Sequence, residues 1–271
     1  MYLAHYNLKT IPFKTNPDPR FLWFSDKHKE ALSVLKYGVL KSEGFLLLTG
    51  DIGTGKTSLI RYLVNIIKRK AFVAFIPYPN MEPLDFFNFV SEEFGMDEKY
   101  SKKVDFLVQF KKFLLTAHSK RKKVFLIIDE AQNINHDLLE QIRLLSNIEF
   151  DYRKLISIFF VGQDEIEDVL MDEKNKAIRQ RISTAFHLTP LTEPETQQYI
   201  EHRLKVAGAE YNLFTAEACR KIHQLSDGIP RLINSICDCA LLSGYVKGQK
   251  IIKLSLINEC QMDLRIPIGI Q

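Results

Sequence analysis

No apolar run in the sequence comes near the roughly 18 residues that a bilayer-crossing helix needs. The opening Met1-Tyr2-Leu3-Ala4-His5 also lacks the charged-then-apolar order of a signal peptide. Together these absences make a cytoplasmic protein the expectation. Cysteine is scarce as well: Cys219, Cys237, Cys239 and Cys260 are the only four, all in the last quarter. No Cys-x-x-Cys partner or His-x3-5-His spacing accompanies Cys237-Asp238-Cys239, so a zinc site or disulfide framework has nothing to build on. Small buried thiols are expected instead. Charge of one sign is missing too, since 37 basic residues against 33 acidic leave only +4. That permits nucleic acid as a partner without indicating it. No internal repeat or low-complexity tract interrupts the chain.

What is there is an ordinary apolar content, 46%, arranged in short runs that alternate with longer helix-patterned segments. That alternation is the mark of a parallel sheet with crossover helices. Candidate strands are Gly44 to Leu48, Ala71 to Ile76, Val124 to Ile128, Leu155 to Val161 and Ala185 to Leu188. They are apolar throughout, as strands covered on both faces are. Helices are expected at Leu84 to Phe94 and Val104 to His118. After Leu191 strand signals stop. Thr192-Glu193-Pro194-Glu195 is a capping box that starts a helix ending at Gly208, and Ala216 to Ser226, Pro230 to Val246 and Leu254 to Leu264 follow. The expected fold is α/β, a five-stranded parallel P-loop sheet with crossover helices and then a small all-helical lid. The expected division is a strap or linker over 1–43, a core over 44–191 and a lid over 192–271.

Gly50-x-x-x-x-Gly55-Lys56-Thr57 matches the phosphate-binding loop. Glycines let the backbone wrap an anion with its amides inward; Lys56 can reach the β- and γ-phosphates and Thr57 can ligate Mg²⁺. The candidate nucleotide-binding set is Gly50, Asp51, Ile52, Gly53, Thr54, Gly55, Lys56, Thr57 and Ser58. The helix that starts here turns its positive end to the same anion. A second buried run, Val124 to Ile128, ends in Asp129-Glu130. Asp129 suits Mg²⁺ and Glu130 suits polarising a water. The adjacent Glu and the lack of an Asn-Lys-x-Asp signature favour hydrolysis of ATP over GTP switching or transfer to a substrate.

In order, the phosphate loop, Asp129-Glu130-Ala131-Gln132, Phe160-Val161-Gly162-Gln163, Arg179-Gln180-Arg181 and Gly228-Ile229-Pro230-Arg231 resemble an AAA+ ATPase. More narrowly the chain is similar to the ExeA/GspA general-secretion ATPases and their exopolysaccharide- and exosortase-associated relatives. The leader carries that narrower likeness through Tyr6-Asn7-Leu8, Pro12-Phe13, Pro17-Asp18-Pro19-Arg20-Phe21-Leu22 and Ser25-x-x-His28. The resemblance implies that Gln163 stands at sensor 1, Arg231 at sensor 2 and Arg181, or its rival Arg179, at an arginine finger reaching a neighbouring copy. It implies a homo-oligomer, ring or filament, whose lid answers to nucleotide. Phe13, Pro19, Phe21 or Trp23 would touch the base or pack as an apolar strap. The basic runs Lys68-Arg69-Lys70 and Lys120-Arg121-Lys122-Lys123 read as solvated faces, with phosphates of DNA or acidic lipid as the rival.

Two clients follow from the likeness. One is an envelope machine for secretion or exopolysaccharide. The membrane span and peptidoglycan-binding region of full-length members do not appear in this sequence, so a membrane-protein partner would place it peripherally at the inner membrane. The other is DNA-associated regulation of transposition, as in the related TniB/TnsC ATPases. A replication-initiator reading would need a winged-helix domain, for which the sequence after the lid leaves no room.

Overall fold

The computed structural model describes residues 2–14, 18–41, 44–96 and 99–263. Met1, Pro17 of the leader pattern, residue 43 at the end of the expected strap, and Leu264 onward lie outside the described residues. The described chain forms two compact units. One comprises residues 27–50 and 56–188. The other comprises 1–26, 51–55 and 189–271.

The first unit begins with a helix that the sequence reading does not place, α1 (Asp26–Lys41), which buries Ala31, Leu32, Leu35 and Val39 at helical spacing. Then come β1 (Phe45–Thr49), α2 (Lys56–Ile67), β2 (Ala71–Ile76), α3 (Pro83–Glu93), α4 (Lys103–Ser119), β3 (Lys123–Ile128), α5 (His136–Leu145), β4 (Ser157–Val161), α6 (Glu165–Met171) and β5 (Ile182–His187). All pairings in the five-stranded sheet are parallel, in the order β2-β3-β4-β1-β5. Every residue of β1 and β4 is buried, as two-sided cover requires. The expectation of two-sided cover fails for β5. It starts at Ile182 and its residues alternate between half-buried and exposed, because it stands at the sheet edge. A short antiparallel hairpin joins Glu149–Phe150 to Arg153–Lys154 before β4.

The other unit holds α7 (Glu193–Val206), α8 (Ala216–Ser226), α9 (Pro230–Val246) and α10 (Leu254–Asp263). The capping box is formed: Thr192 N–H donates to Glu195 Oε2 at 2.9 Å, and Glu195 N–H to Thr192 Oγ1 at 3.4 Å. The leader packs on these helices. Tyr6, Leu8, Phe13 and Phe21 are buried with Tyr199, Ile200, Phe214 and Cys237 in a core of their own. Trp23 lies edge-on to Tyr199, ring centroids 6.1 Å apart. Cys219, Cys237 and Cys260 are buried and unbridged, and burial pushes the Cys219 thiol up to about 12.

Candidate nucleotide site

β1 delivers the chain to Gly50, and α2 starts at Lys56. The first-turn amides of α2 have no carbonyl one turn back, so they present donors and positive potential to whatever sits before them. Lys56 is 9% exposed, and its ammonium donates to the Gly50 carbonyl at 2.6 Å. One residue on, Thr57 Oγ1 donates to Asp129 Oδ2 at 2.8 Å, which joins the helix start to the end of β3. Ser58 is half-buried on the same turn.

Asp129 is 6% exposed. Burial raises its pKa, against the Thr57 hydroxyl and the Glu130 amide, which donates to Oδ1 at 3.1 Å. The Glu130 charge raises it further and Lys56 lowers it. A desolvated carboxylate beside a hydroxyl is a hard-oxygen pair that fits Mg²⁺, whose charge would offset the burial cost. Thr57 and Asp129 are the residues that would hold it.

Glu130 adopts the left-handed region, φ 52° and ψ 40°, uncommon for a residue with a side chain. Its Oε2 accepts from Gln132 Nε2 at 2.7 Å and, at 3.4 Å, from Gln163 Nε2 beyond the end of β4. Gln132 also turns its Oε1 to the backbone N–H of Gln163 at 3.1 Å. Gly162 makes that approach possible, since a Cβ there would stand 2.8 Å from Gln132 Oε1. Gln132 therefore ties Glu130 to the strand end that carries Gln163. The sequence reading quotes Gln132 without giving it a part to play; the bare glycine before Gln163 is the signal that could have found it.

In the unit that contains residues 51–55, Asp51 and Ile52 are exposed and Thr54 is buried, its hydroxyl donating to the Asp51 carbonyl at 2.8 Å. Pro230 opens α9, and Arg231 N–H donates to the Gly53 carbonyl at 3.4 Å. Gly53 has φ +87°, and a Cβ there would lie 2.8 Å from the Arg231 Cβ. Only glycine fits this backbone so close to the start of α9. Gly55 too has positive φ, +107°.

The two finger candidates are engaged within the α/β unit. Arg181 donates to Asn147 Oδ1 at 2.5 Å and Ser146 Oγ at 3.2 Å. Arg179 donates to the Met171 carbonyl at 3.0 Å. A group that sequence reasoning missed sits at the end of β1: Thr49 Oγ1 meets His187 Nδ1 at 3.0 Å and donates to Glu167 Oε1 at 3.2 Å, with Asp164 Oδ1 3.3 Å from His187 Nδ1. The Asp164, Glu167 and His187 ligand atoms lie within 4.8 Å of one another and are exposed.

Among protein families, the description that matches this chain is that of an AAA domain, over residues 39–170. The chain carries an AAA domain on an AAA+ P-loop fold. Cdc6p of Pyrobaculum aerophilum has the same fold, with a TM-score of 0.69 over 94% of this chain and 73% of its own at 18% identity. General secretion pathway protein A of Aeromonas hydrophila is 37% identical over 251 residues, 92% of this chain and 46% of its own. An uncharacterised HTH-type transcriptional regulator of Methanocaldococcus jannaschii is 32% identical over 161 residues, 56% of this chain and 38% of its own. The AAA-domain chain is thus a relative of the secretion protein, as its motifs imply, and spans less than half the length of either curated relative. No described helix is long and apolar enough to cross a membrane.

Proposed function

We propose that this chain binds ATP with Mg²⁺, hydrolyses it to ADP and phosphate, and couples nucleotide state to assembly of several copies in a secretion or exopolysaccharide system of the envelope. The observation that carries the reading is the Thr57–Asp129 contact, with Lys56 buried beside it and Glu130 next in sequence. When bound, the metal neutralises charge developing between the β- and γ-phosphates. Lys56 exchanges the Gly50 carbonyl for phosphate oxygen. Glu130 orients the attacking water and takes its proton, and Gln163 holds that water or the γ-phosphate on the other side. Arg231, beside Gly53, reads the γ-phosphate from the lid. Arg181 or Arg179, presented by a neighbouring copy, stabilises the transferring phosphoryl group, an effect worth about 10³ to 10⁵ in rate in other nucleotide hydrolases. The secretion relative supports the envelope process. On that reading the protein is cytoplasmic and reaches the inner membrane through a membrane-protein partner.

Two variants test the site. Lys56→Ala should lose at least about a hundredfold in affinity for a fluorescent ATP analogue, the scale expected when one charge-assisted phosphate contact goes; parental affinity would end the phosphate-loop assignment. Glu130→Gln should bind ATP yet release phosphate about 10²- to 10⁴-fold more slowly, as loss of a general base predicts. Light scattering on Glu130→Gln with and without ATP checks assembly, and an unchanged mass removes the coupling.

A further inference from the structure

At the amino end of the strands, away from Asp129 and Lys56, the α/β unit holds a cleft of about 1190 Å³. Seven of its seventeen lining residues are lysine or arginine, and none of those described is acidic. They come from separate stretches: Lys41 at the end of α1, Arg121, Lys122 and Lys123 between α4 and β3, Arg153 and Lys154 on the hairpin, and Arg181 before β5.

The simplest account is that cations collect where helices end in unpaired carbonyls. It explains part of the set. Lys123 Nζ donates to the Val39 and Leu40 carbonyls at 2.8 and 2.7 Å, Arg181 meets Ser146 at the end of α5, and Lys154 pairs with Glu149. Lys122 lies over the Phe72 ring, 4.8 Å from its centroid. It does not explain Arg121 and Arg153, whose guanidiniums have no hydrogen-bond or carboxylate partner among the described residues. Beside Arg153, Tyr152 is 98% exposed at a hairpin corner fixed by positive φ at Asp151 and Tyr152. A tyrosine this exposed gains nothing from burial to offset its left-handed backbone.

We propose that this cleft binds single-stranded nucleic acid, with Arg121, Lys122 and Arg153 on the phosphates and the Tyr152 ring stacked on a base. Guanidinium forks match phosphate oxygens, and an exposed ring beside a cationic groove is how strands are held without sequence preference. The site is separate from the nucleotide loop and does not depend on ATP hydrolysis. Arg181, held by Ser146 and Asn147, takes no part in it.

The test is fluorescence anisotropy of a labelled 20-nucleotide oligomer with the whole chain, in parent and Lys56→Ala protein so that the phosphate loop is excluded as the binding place. Three phosphate contacts predict a slope of about −2 in log affinity against log salt, or about 16-fold between roughly 50 and 200 mM. Arg121→Glu with Arg153→Glu should lower affinity by at least about tenfold and flatten the slope towards about −0.7, while ATP-analogue binding stays parental as proof of folding. Tyr152→Ala should lose about 5- to 150-fold with the slope unchanged, since stacking releases no counterions. Lys174→Glu with Lys253→Glu makes the same change in net charge on residues outside the cleft and should bind as the parent does. Equal losses in both double variants would reduce the effect to overall charge and overturn the cleft. Binding to vesicles of anionic lipid without oligomer binding would overturn it too, in favour of a surface where the exposed Leu40 meets a bilayer.

Discussion

Among the described residues each unit buries a charged network, and the two are finished to different degrees. In the helical unit Arg203 is 7% exposed and has all its nitrogens engaged: Nε to the Pro12 carbonyl at 2.7 Å, Nη1 to Tyr199 Oη at 2.8 Å, Nη2 to the Lys14 carbonyl at 3.2 Å. The Tyr199 hydroxyl in turn donates to Asn234 Oδ1 at 3.0 Å, and the Phe21 ring lies 5.0 Å from the guanidinium. In the α/β unit Asp129 is as deeply buried, yet after two donated hydrogen bonds its charge is still disfavoured. A charge that serves the fold is saturated by the fold. On the proposed reading Asp129 is left short because it serves a ligand, and that difference would separate a structural network from a functional one of similar appearance.

The comparison breaks most visibly if Arg203 is not structural. Arg203→Met keeps the length of the stem but leaves two leader carbonyls and the Tyr199 oxygen without their donor, which should cost about 2–4 kcal/mol. Trp23, the chain's single tryptophan, packs on Tyr199 and reports unfolding of this unit by fluorescence in urea. A loss under about 0.5 kcal/mol would put Arg203 among surface residues in effect. A smaller effect, and a different kind, is expected at Gln132. Gln132→Leu removes the amide that joins Glu130 to the Gln163 backbone, and turnover should fall about tenfold, the equivalent of about 1.4 kcal/mol in the transition state. ATP affinity and the urea midpoint should stay near parental. A fall in affinity or stability with turnover per bound ATP unchanged would make Gln132 a packing residue.

Much of the α/β unit is legible because its signals are local. Runs such as Phe125-Leu126-Ile127-Ile128 announce buried strands, the loop glycines stand at fixed short spacings from Lys56 and Thr57, and Asp129-Glu130 follows directly on a buried run. The rest is missed for reasons that can be named. Gln132 acts through Gly162, thirty residues on, and the absence of a side chain there matters only once two strand ends lie side by side. Arg203 bonds mainly to carbonyls, which every residue has and no pattern marks. The alternation in β5 is plain in Ile182-Ser183-Thr184-Ala185-Phe186-His187, but a search for solid apolar runs picks up only its end. In α1 the apolar spacing of Ala31, Leu32, Leu35 and Val39 is readable; the aromatic and proline content of the leader before it suggests an extended strap instead.

Asp129 sharpens the comparison at its other pole, with the smallest effect and the most particular sign. Its folded pKa is raised, with burial the largest cause. The folded state therefore holds a proton more tightly than the unfolded chain, and stability contributed by the protonated form is lost as pH rises through the raised value. At neutral pH the charged carboxylate costs the ligand-free fold something that an amide would not. Asp129→Asn can keep the bond from the Thr57 hydroxyl, so the ligand-free variant should melt roughly 2–4 °C higher at pH 7, the shift expected for about 1 kcal/mol in a chain of this size. The gain should shrink as pH is lowered and the parental carboxyl is itself protonated. Adding Mg²⁺ and ATP should then reverse the order, because binding stabilises only the form that can hold the metal, by about 2.7 kcal/mol at a hundred times the dissociation constant. Calorimetry of both proteins, with and without Mg²⁺ and ATP, reads the crossing directly. A variant that melts below the parent in every condition would place Asp129 with Arg203, as a charge the fold has already satisfied.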